Sequence, residues 1–377
     1  MILRIFGHDF HYECENLCRV YYPNEKIEIK YDGSGEDPLT VETRLFPEDG
    51  GARVEVITSI NGSVRSAGDK VTAPEDELRD KCELRIAQLM FELLSAETGY
   101  TPPWGVLTGV RPSKLMLRLT AQLGEQGAMD YFTKGLLVSP EKARLAATVA
   151  KAEEQIVASS RPNSFSLYVS IPFCPTRCSF VSHSITNSNA RKLLPEYLEK
   201  LSDELGELGG IARELGLRLE SVYFGGGTPG VLEAPQLDRL LCSVESSFDL
   251  STLREYTVEI GRPDTVTPEK LRALRIHNVG RISINPQTFN QKTLELIGRN
   301  HTVEQAVKAY QLAKSYDFDC VNMDLIAGLP GESYEDFTAS VDTAVALSPE
   351  NIAVHTLALK RSSELNASGT GVSDGNE

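Results

Sequence analysis

Two cysteines four residues apart, Cys174 and Cys178, stand in a loop directly after the apolar, β-branched run Tyr168-Val169-Ser170-Ile171. Thiols at that spacing, on a loop leaving a strand, suit a metal or iron–sulfur site better than a structural role. The next residues are Ser179-Phe180-Val181-Ser182, with no third cysteine. Further along, Gly225-Gly226-Gly227-Thr228-Pro229 offers backbone that a ligand can approach closely, because no Cβ intervenes. The run lacks the Lys-Ser/Thr of a phosphate loop, which disfavours nucleoside triphosphates; an amino-acid moiety suits it better, and a tight turn is the plainer reading. Glu259 and Asp324 end apolar runs, where a carboxylate is costly to bury alone. A cationic or hydroxylated ligand would serve as partner, and so would Arg281 or Arg299. Gln287 and Arg299 have the donors to hold a carboxylate or a ribose, although Arg299 by itself also reads as a surface charge. Lys360-Arg361 suits an anionic substrate or is a solvated pair.

These residues need elements to hold them. From Phe165 onward the chain alternates strand and helix, with strands expected at Ser166–Ile171, Ser221–Phe224, Tyr256–Ile260, Arg281–Asn285, Cys320–Ile326 and Ile352–Leu357. Apolar stripes at Leu194/198/201/205/208 and at Leu237/Leu240/Leu241/Val244 mark intervening helices. Thr267-Pro268, Thr302 with Gln305, and Ser333 with Asp336 are helix starts. Six βα units without an antiparallel interruption imply an α/β fold, a partial (β/α)6 TIM-type barrel. The polar and glycine-rich positions, with His355, Thr356 and Ala358, all fall at the C-terminal strand ends, where parallel barrels carry their active sites. Ahead of the barrel, residues 1–160 read as a small α+β domain with a helical linker. Its first seventy residues alternate as strands, with turns at Asp32-Gly33 and Asn61-Gly62. Helices follow from Glu75 to before Gly99, over Ser113–Leu123 and over Pro140–Ser159. Trp104 and Arg111 read as packing residues in preference to ligand contacts. The barrel is expected over 161–365, and the composition of 366–377 predicts a disordered tail.

Composition narrows the function class. With 377 residues, 41% of them hydrophobic, two domains with a large core are affordable. The net charge of −15 argues against nucleic acid or an anionic membrane as partner, and no apolar run is long enough to span a bilayer. Cys14, Cys18, Cys82, Cys242 and Cys320 read as small buried side chains in a reducing cytoplasm.

Taken together, Tyr168-x-x-Ile171-Pro172-Phe173-Cys174-x-x-x-Cys178, Gly225-Gly226-Gly227-Thr228-Pro229, Glu259-x-Gly261-Arg262-Pro263-Asp264, Gln287-x-Phe289-Asn290 and Asp324-Leu325-Ile326-x-Gly328-Leu329-Pro330 resemble the radical S-adenosylmethionine (SAM) proteins. Within them the resemblance is to the oxygen-independent coproporphyrinogen III oxidase-like group. Trp104-Gly105-Val106-Leu107-Thr108-Gly109-Val110-Arg111-Pro112 and Val354-His355-Thr356-Leu357 are similar to its HemZ-type coproporphyrinogen dehydrogenase branch. The resemblance implies a 4Fe–4S cluster on Cys174 and Cys178. It also implies a SAM site lined by Tyr168, Gly226, Gly227, Thr228, Glu259, Gln287, Arg299, Asp324 and Ala358. It implies a tetrapyrrole substrate, a reductant such as flavodoxin or ferredoxin, and oxidative decarboxylation of propionates to vinyls. A heme- or porphyrin-binding chaperone and a degenerate SAM-binding scaffold are the other readings. The family pattern is Cys-x-x-x-Cys-x-x-Cys. Either Val181 occupies the third place, or three residues including that cysteine are absent before Ser179. Valine has no donor atom, and His183 is poorly spaced to replace a thiolate. The family also continues into a further C-terminal region, so the expectation is a chain impaired both in its cluster and in its substrate cover.

Overall fold

The computed structural model describes residues 1–109, 111–181, 185, 188–358 and 365. The expectations for His183, Lys360, Arg361 and the tail 366–377 lie outside the described residues. The chain divides into two compact units, Met1–Ser159 and Ser160–Glu377.

In the first unit a five-stranded sheet has the order β2-β1-β3-β4-β5. Its strands are β1 (Ile2–Phe6), β2 (Glu28–Lys30), β3 (Leu39–Glu48), β4 (Gly51–Ile60) and β5 (Ser63–Val71). β1 runs parallel to both neighbours, while β3, β4 and β5 form antiparallel hairpins. The β4–β5 turn is Asn61-Gly62, both with positive φ (50° and 87°), the conformation that this dipeptide favours in two-residue hairpins. Between β1 and β2 lies α1 (His11–Tyr21), where the sequence reading has only strands. It buries Cys14, Leu17, Cys18 and Tyr21, so the four-residue cysteine spacing there is one helical turn and not a ligand loop. α2 (Glu75–Thr98) ends on left-handed Gly99 and joins α1 against the sheet core of Leu3, Ile5, Val41, Val54 and Val56. α3 (Pro112–Asp130) is broken by Gly124, at φ 75° and ψ 170°, just past the expected end at Leu123. With α4 (Pro140–Ala158) it makes a second core, on which half-buried Trp104 packs under the Lys142 ammonium.

The second unit is a parallel sheet of six strands in sequential order, β6 (Ser164–Ile171), β7 (Arg218–Gly226), β8 (Glu255–Gly261), β9 (Arg281–Gln287), β10 (Cys320–Ala327) and β11 (Asn351–Thr356). The connecting helices are α5 (Ser188–Glu214), α6 (Ala234–Ser247), α7 (Pro268–Ile276), α8 (Gln291–Leu296), α9 (Val303–Lys314) and α10 (Tyr334–Leu347). This is the expected partial TIM-type barrel. The expected caps form: Thr267 accepts from Lys270 N–H, and Thr302/Gln305 and Ser333/Asp336 make capping boxes. The core joins strand residues such as Val222, Phe224, Val258, Ile282 and Val321 to the Leu237/Leu240/Leu241/Val244 stripe of α6. Phe224 is fully buried in β7. Phe224→Ala is therefore expected to lower the unfolding free energy by about 3–5 kcal/mol, read as a fall in the urea midpoint.

The pairing is irregular at two places, and both touch the site. Glu259 pairs with Ser283, but Gly261 already pairs with Ile284, so β8 carries one extra residue beside Glu259. Between β9 and β10 the register shifts from Met323–Ile284 to Leu325–Gln287, leaving Asp324 beside the extra residue of β9. Pro286, which cannot donate to the ladder, lies in that bulge. Bulges re-aim side chains, and here they flank the two carboxylates.

Candidate functional site at the C-terminal ends of the strands

β6 ends at Ile171 and the cysteine loop begins. Phe173 anchors it, buried and edge-on to Tyr197 at 5.3 Å. The loop is then stitched to the glycine run after β7. Gly227 N–H donates to the Ile171 carbonyl and Thr228 N–H to the Phe173 carbonyl, both at 2.8 Å. The Thr228 hydroxyl lies 3.4 Å from Cys174 Sγ. A Cβ on Gly227 would stand 2.6 Å from the Phe173 carbonyl oxygen and 2.9 Å from Cys174 Sγ. Gly226 has φ 104°, where only glycine is unstrained. The glycines thus admit the cysteine loop itself, a use of close approach that the sequence reading had assigned to a ligand.

Cys178 is buried on the same loop, and Val181 N–H donates to its carbonyl at 3.0 Å. The loop is held from the far side by Ser179 N–H to the Ile297 carbonyl, 3.1 Å, and by Thr176 Oγ1 to the Gly298 carbonyl, 3.4 Å. Two guanidinium groups sit at the thiols. Arg262 is buried, forks onto Asp264 at 2.9 and 3.0 Å, and donates to Thr176 Oγ1. Arg299, an ordinary surface charge on one sequence reading, is instead 8% exposed and stands beside the Cys178 thiol. Its Nη1 donates to the Asn285 carbonyl at 3.3 Å, its Nε has no partner among the described residues, and burial pulls its pKa down. Burial pushes the Cys174 thiol up; the Thr228 hydroxyl, Arg262 and Arg299 act against it, while Cys178 adds to it. His301, which the sequence reading did not single out, is fully buried here; desolvation and then the Arg299 charge lower it to about 4, so the ring is neutral.

Inside the barrel, the Tyr168 and Tyr223 rings stack at 5.8 Å with 14° between planes, and the Tyr223 hydroxyl donates to Glu259. Asn322 Nδ2 donates to Asp324 Oδ1 and to Ser283 Oγ, each at 2.7 Å. The carboxylates are therefore held by neutral donors, and among the described residues neither Arg281 nor Arg299 is their partner. Burial raises the Glu259 carboxyl; the Tyr223 hydrogen bond opposes this, the Asp324 charge reinforces it, and His355 opposes it. Gln287 closes β9 in a left-handed conformation, φ 71°, with its side chain buried and Oε1 lacking a partner among the described residues. Ala358 is exposed just past β11. Tyr223, Asn322 and Ser283 were not singled out in the sequence, although the strand period places them on the same faces as Glu259 and Asp324.

The Glu259 shift has a sign that can be tested. A carboxyl whose folded pKa is raised adds stability only while protonated, below its unfolded value of about 4.3; that contribution is lost as pH rises through the folded value. Glu259→Gln, which keeps an acceptor for Tyr223, is expected to raise the urea midpoint at pH 7 and leave it nearly unchanged at pH 4.

The donor set decides what the thiols can hold. Among the described residues, the one group of three His, Cys, Asp or Glu donor atoms within 4.8 Å is Asp238, Cys242 and His277. Neither Cys174 nor Cys178 belongs to such a group, and Val181 has no donor. Two thiols do not meet the three-thiolate requirement of an open-iron 4Fe–4S cluster. Gln287 Oε1 and Arg299 Nε, orphaned among the described residues, and the half-buried carboxylates of Glu259 and Asp324 do fit a polar ligand with cationic and carboxylate groups.

Comparison with known proteins gives one consistent result. The Radical SAM superfamily matches residues 168–344. The oxygen-independent coproporphyrinogen-III oxidase-like protein HemZ of Bacillus subtilis is 35% identical over 97% of this chain and 74% of its own length. The heme chaperone HemW of Lactococcus lactis is 34% identical over 53% of this chain and 50% of its own. Among solved structures, coproporphyrinogen III oxidase (HemN) from Escherichia coli superposes with a TM-score of 0.50 at 27% identity, over 59% of this chain and 51% of that one. The chain thus spans about three quarters of the first of these proteins and about half of the other two. Among the described residues, no helix is long and apolar enough to cross a membrane.

Proposed function

This chain belongs to the radical SAM superfamily and, within it, to the oxygen-independent coproporphyrinogen-III oxidase-like proteins, and from that premise we propose that it is a cytoplasmic tetrapyrrole protein of the coproporphyrinogen dehydrogenase type whose strand ends hold SAM while its cysteine loop, with two thiols, supports little or no turnover. The reaction class is oxidative decarboxylation: each propionate becomes a vinyl by loss of carbon dioxide, one proton and two electrons. The two electrons need an acceptor, and a separate reductant of the flavodoxin or ferredoxin kind is the further partner this reaction class calls for.

The observation that carries the reading is a set of polar groups at one mouth, two half-buried carboxylates beside two buried side chains that each have an unpartnered atom among the described residues. Glu259 and Asp324 face inward on bulged strands and can accept from a ligand's ammonium or hydroxyls. Among the described residues Gln287 Oε1 and Arg299 Nε have no partner, and Arg299 carries the charge a ligand carboxylate needs. Tyr168, stacked on Tyr223 and 59% exposed, offers a flat apolar wall at the opening. Gly226, Gly227 and Thr228 fix the floor, and Ala358 stands at the last strand end. SAM supplies a sulfonium methionine and an adenosyl group, whose charges and hydroxyls match this arrangement.

Calorimetry of the metal-free chain with SAM tests the reading. Binding that weakens at least tenfold in Asp324→Asn and Arg299→Met supports it, and no measurable binding removes it. The second reading, a heme-binding chaperone, is favoured by the incomplete thiol set and the likeness to heme chaperones. Heme titration separates the two: saturable heme binding that persists without SAM favours the chaperone.

A further inference from the structure

The opposite face of the barrel carries a second cluster. α6 buries Leu237, Leu240, Leu241 and Val244, which turns Asp238 and Cys242, one helical turn apart, towards solvent. Cys242 is exposed and not the buried thiol expected from sequence. His277, the residue after α7, is buried and meets this helix: Nε2 lies 3.0 Å from Asp238 Oδ1, and Nδ1 lies 2.9 Å from Glu245 Oε1. The donor atoms of Asp238, Cys242 and His277 are all within 4.8 Å of one another.

A triad of one imidazole and two carboxylates would explain His277, Asp238 and Glu245, but not why a thiol completes the group. Nor would it explain Tyr256 on β8. That side chain is 4% exposed and its hydroxyl has no hydrogen-bond partner among the described residues; burial first, then its nearness to Glu245 and Cys242, pushes its pKa up. A buried hydroxyl is normally satisfied by protein or by a bound group. Bonds of about 2.0–2.3 Å in a tetrahedral zinc site put ligand atoms roughly 3.3–3.6 Å apart, so modest rotamer changes would close the three donors on one ion. Glu245 on Nδ1 is the carboxylate that orients a ligating histidine. Thiolate, imidazole and carboxylate together favour zinc over magnesium or calcium.

We propose that Asp238, Cys242 and His277 form a divalent zinc-class site, with Glu245 orienting the imidazole and the fourth position open to a water that Tyr256 hydrogen-bonds. The site clasps α6 to the turn between α7 and β9, at the barrel face where residues serve stability.

The full chain carrying Cys174→Ser and Cys178→Ser, which silences the other thiol pair, tests this by anaerobic titration with Co2+ at pH 8, followed by Zn2+. One equivalent of cobalt is expected, with thiolate-to-cobalt charge-transfer absorption and tetrahedral d–d bands that zinc abolishes. Adding Cys242→Ser, at an exposed position that folding tolerates, removes the charge-transfer band, and Glu245→Gln weakens binding about 10–100-fold. Zinc raises the thermal midpoint of the parent and not that of the Cys242→Ser variant. No charge-transfer band in the parent, or a band unchanged by Cys242→Ser, overturns the proposal.

Discussion

Val181→Cys is expected to change iron uptake from sub-stoichiometric to about four irons per chain and to bring SAM cleavage with it. Val181 lies three residues past Cys178, in a turn closed by its own N–H on the Cys178 carbonyl at 3.0 Å. A thiol there joins the loop that already carries Cys174 and Cys178. The substitution removes little volume from a half-buried position, so the fold is not at stake. Anaerobic reconstitution followed by iron and sulfide analysis reads the result. If Val181→Cys takes up no more iron than the parent, while insertion of a cysteine-containing triplet before Ser179 does, the loop is short by three residues and Val181 is not its third position.

Gly227→Ala is the second large effect, and it arises from space alone. The new Cβ would meet two carbonyl oxygens, of Phe173 at 2.6 Å and Ile171 at 2.9 Å, as well as Cys174 Sγ. Backbone cannot swing aside as a side-chain tip can, so the two loops must part. Both 2.8 Å bonds that join them and the Thr228–Cys174 contact would be lost. A stability loss of about 1–3 kcal/mol is expected, with loss of SAM binding. Gly206→Ala is the control, since its Cβ meets nothing within 4 Å in the middle of α5. That change is expected to stabilise by about 0.5–1 kcal/mol. Opposite signs for the same substitution, measured by urea unfolding, isolate the close approach as the cause.

The barrel was legible because each strand is a short β-branched run closed by a helix start. The observed strand ends differ from the expected ones by no more than three residues, as from Ser221–Phe224 to Arg218–Gly226, and β11 stops one residue short of Leu357. α1 was not legible. His11–Tyr21 is polar on most of its surface, and its buried stripe includes two cysteines, so it carried neither a strong helical signal nor a cap. Burial of single polar side chains was the other blind spot. Nothing in the residues around Arg299 tells that it is enclosed beside Cys178; the neutral donor on Glu259 comes from the neighbouring strand, and that on Asp324 from Asn322 two residues back on its own strand. Cys242 is a different case. The α6 stripe at Leu237, Leu240, Leu241 and Val244 already put position 242 off the buried face, and reading the thiol as a core residue overlooked that period.

The two-thiol loop governs all of this, and one spectrum bears on it directly. Anaerobic reconstitution of the unaltered chain with iron and sulfide, followed by Mössbauer spectroscopy, is expected to show no stoichiometric 4Fe–4S signal and no 5′-deoxyadenosine on adding SAM and dithionite. A full four-iron cluster that cleaves SAM would contradict it.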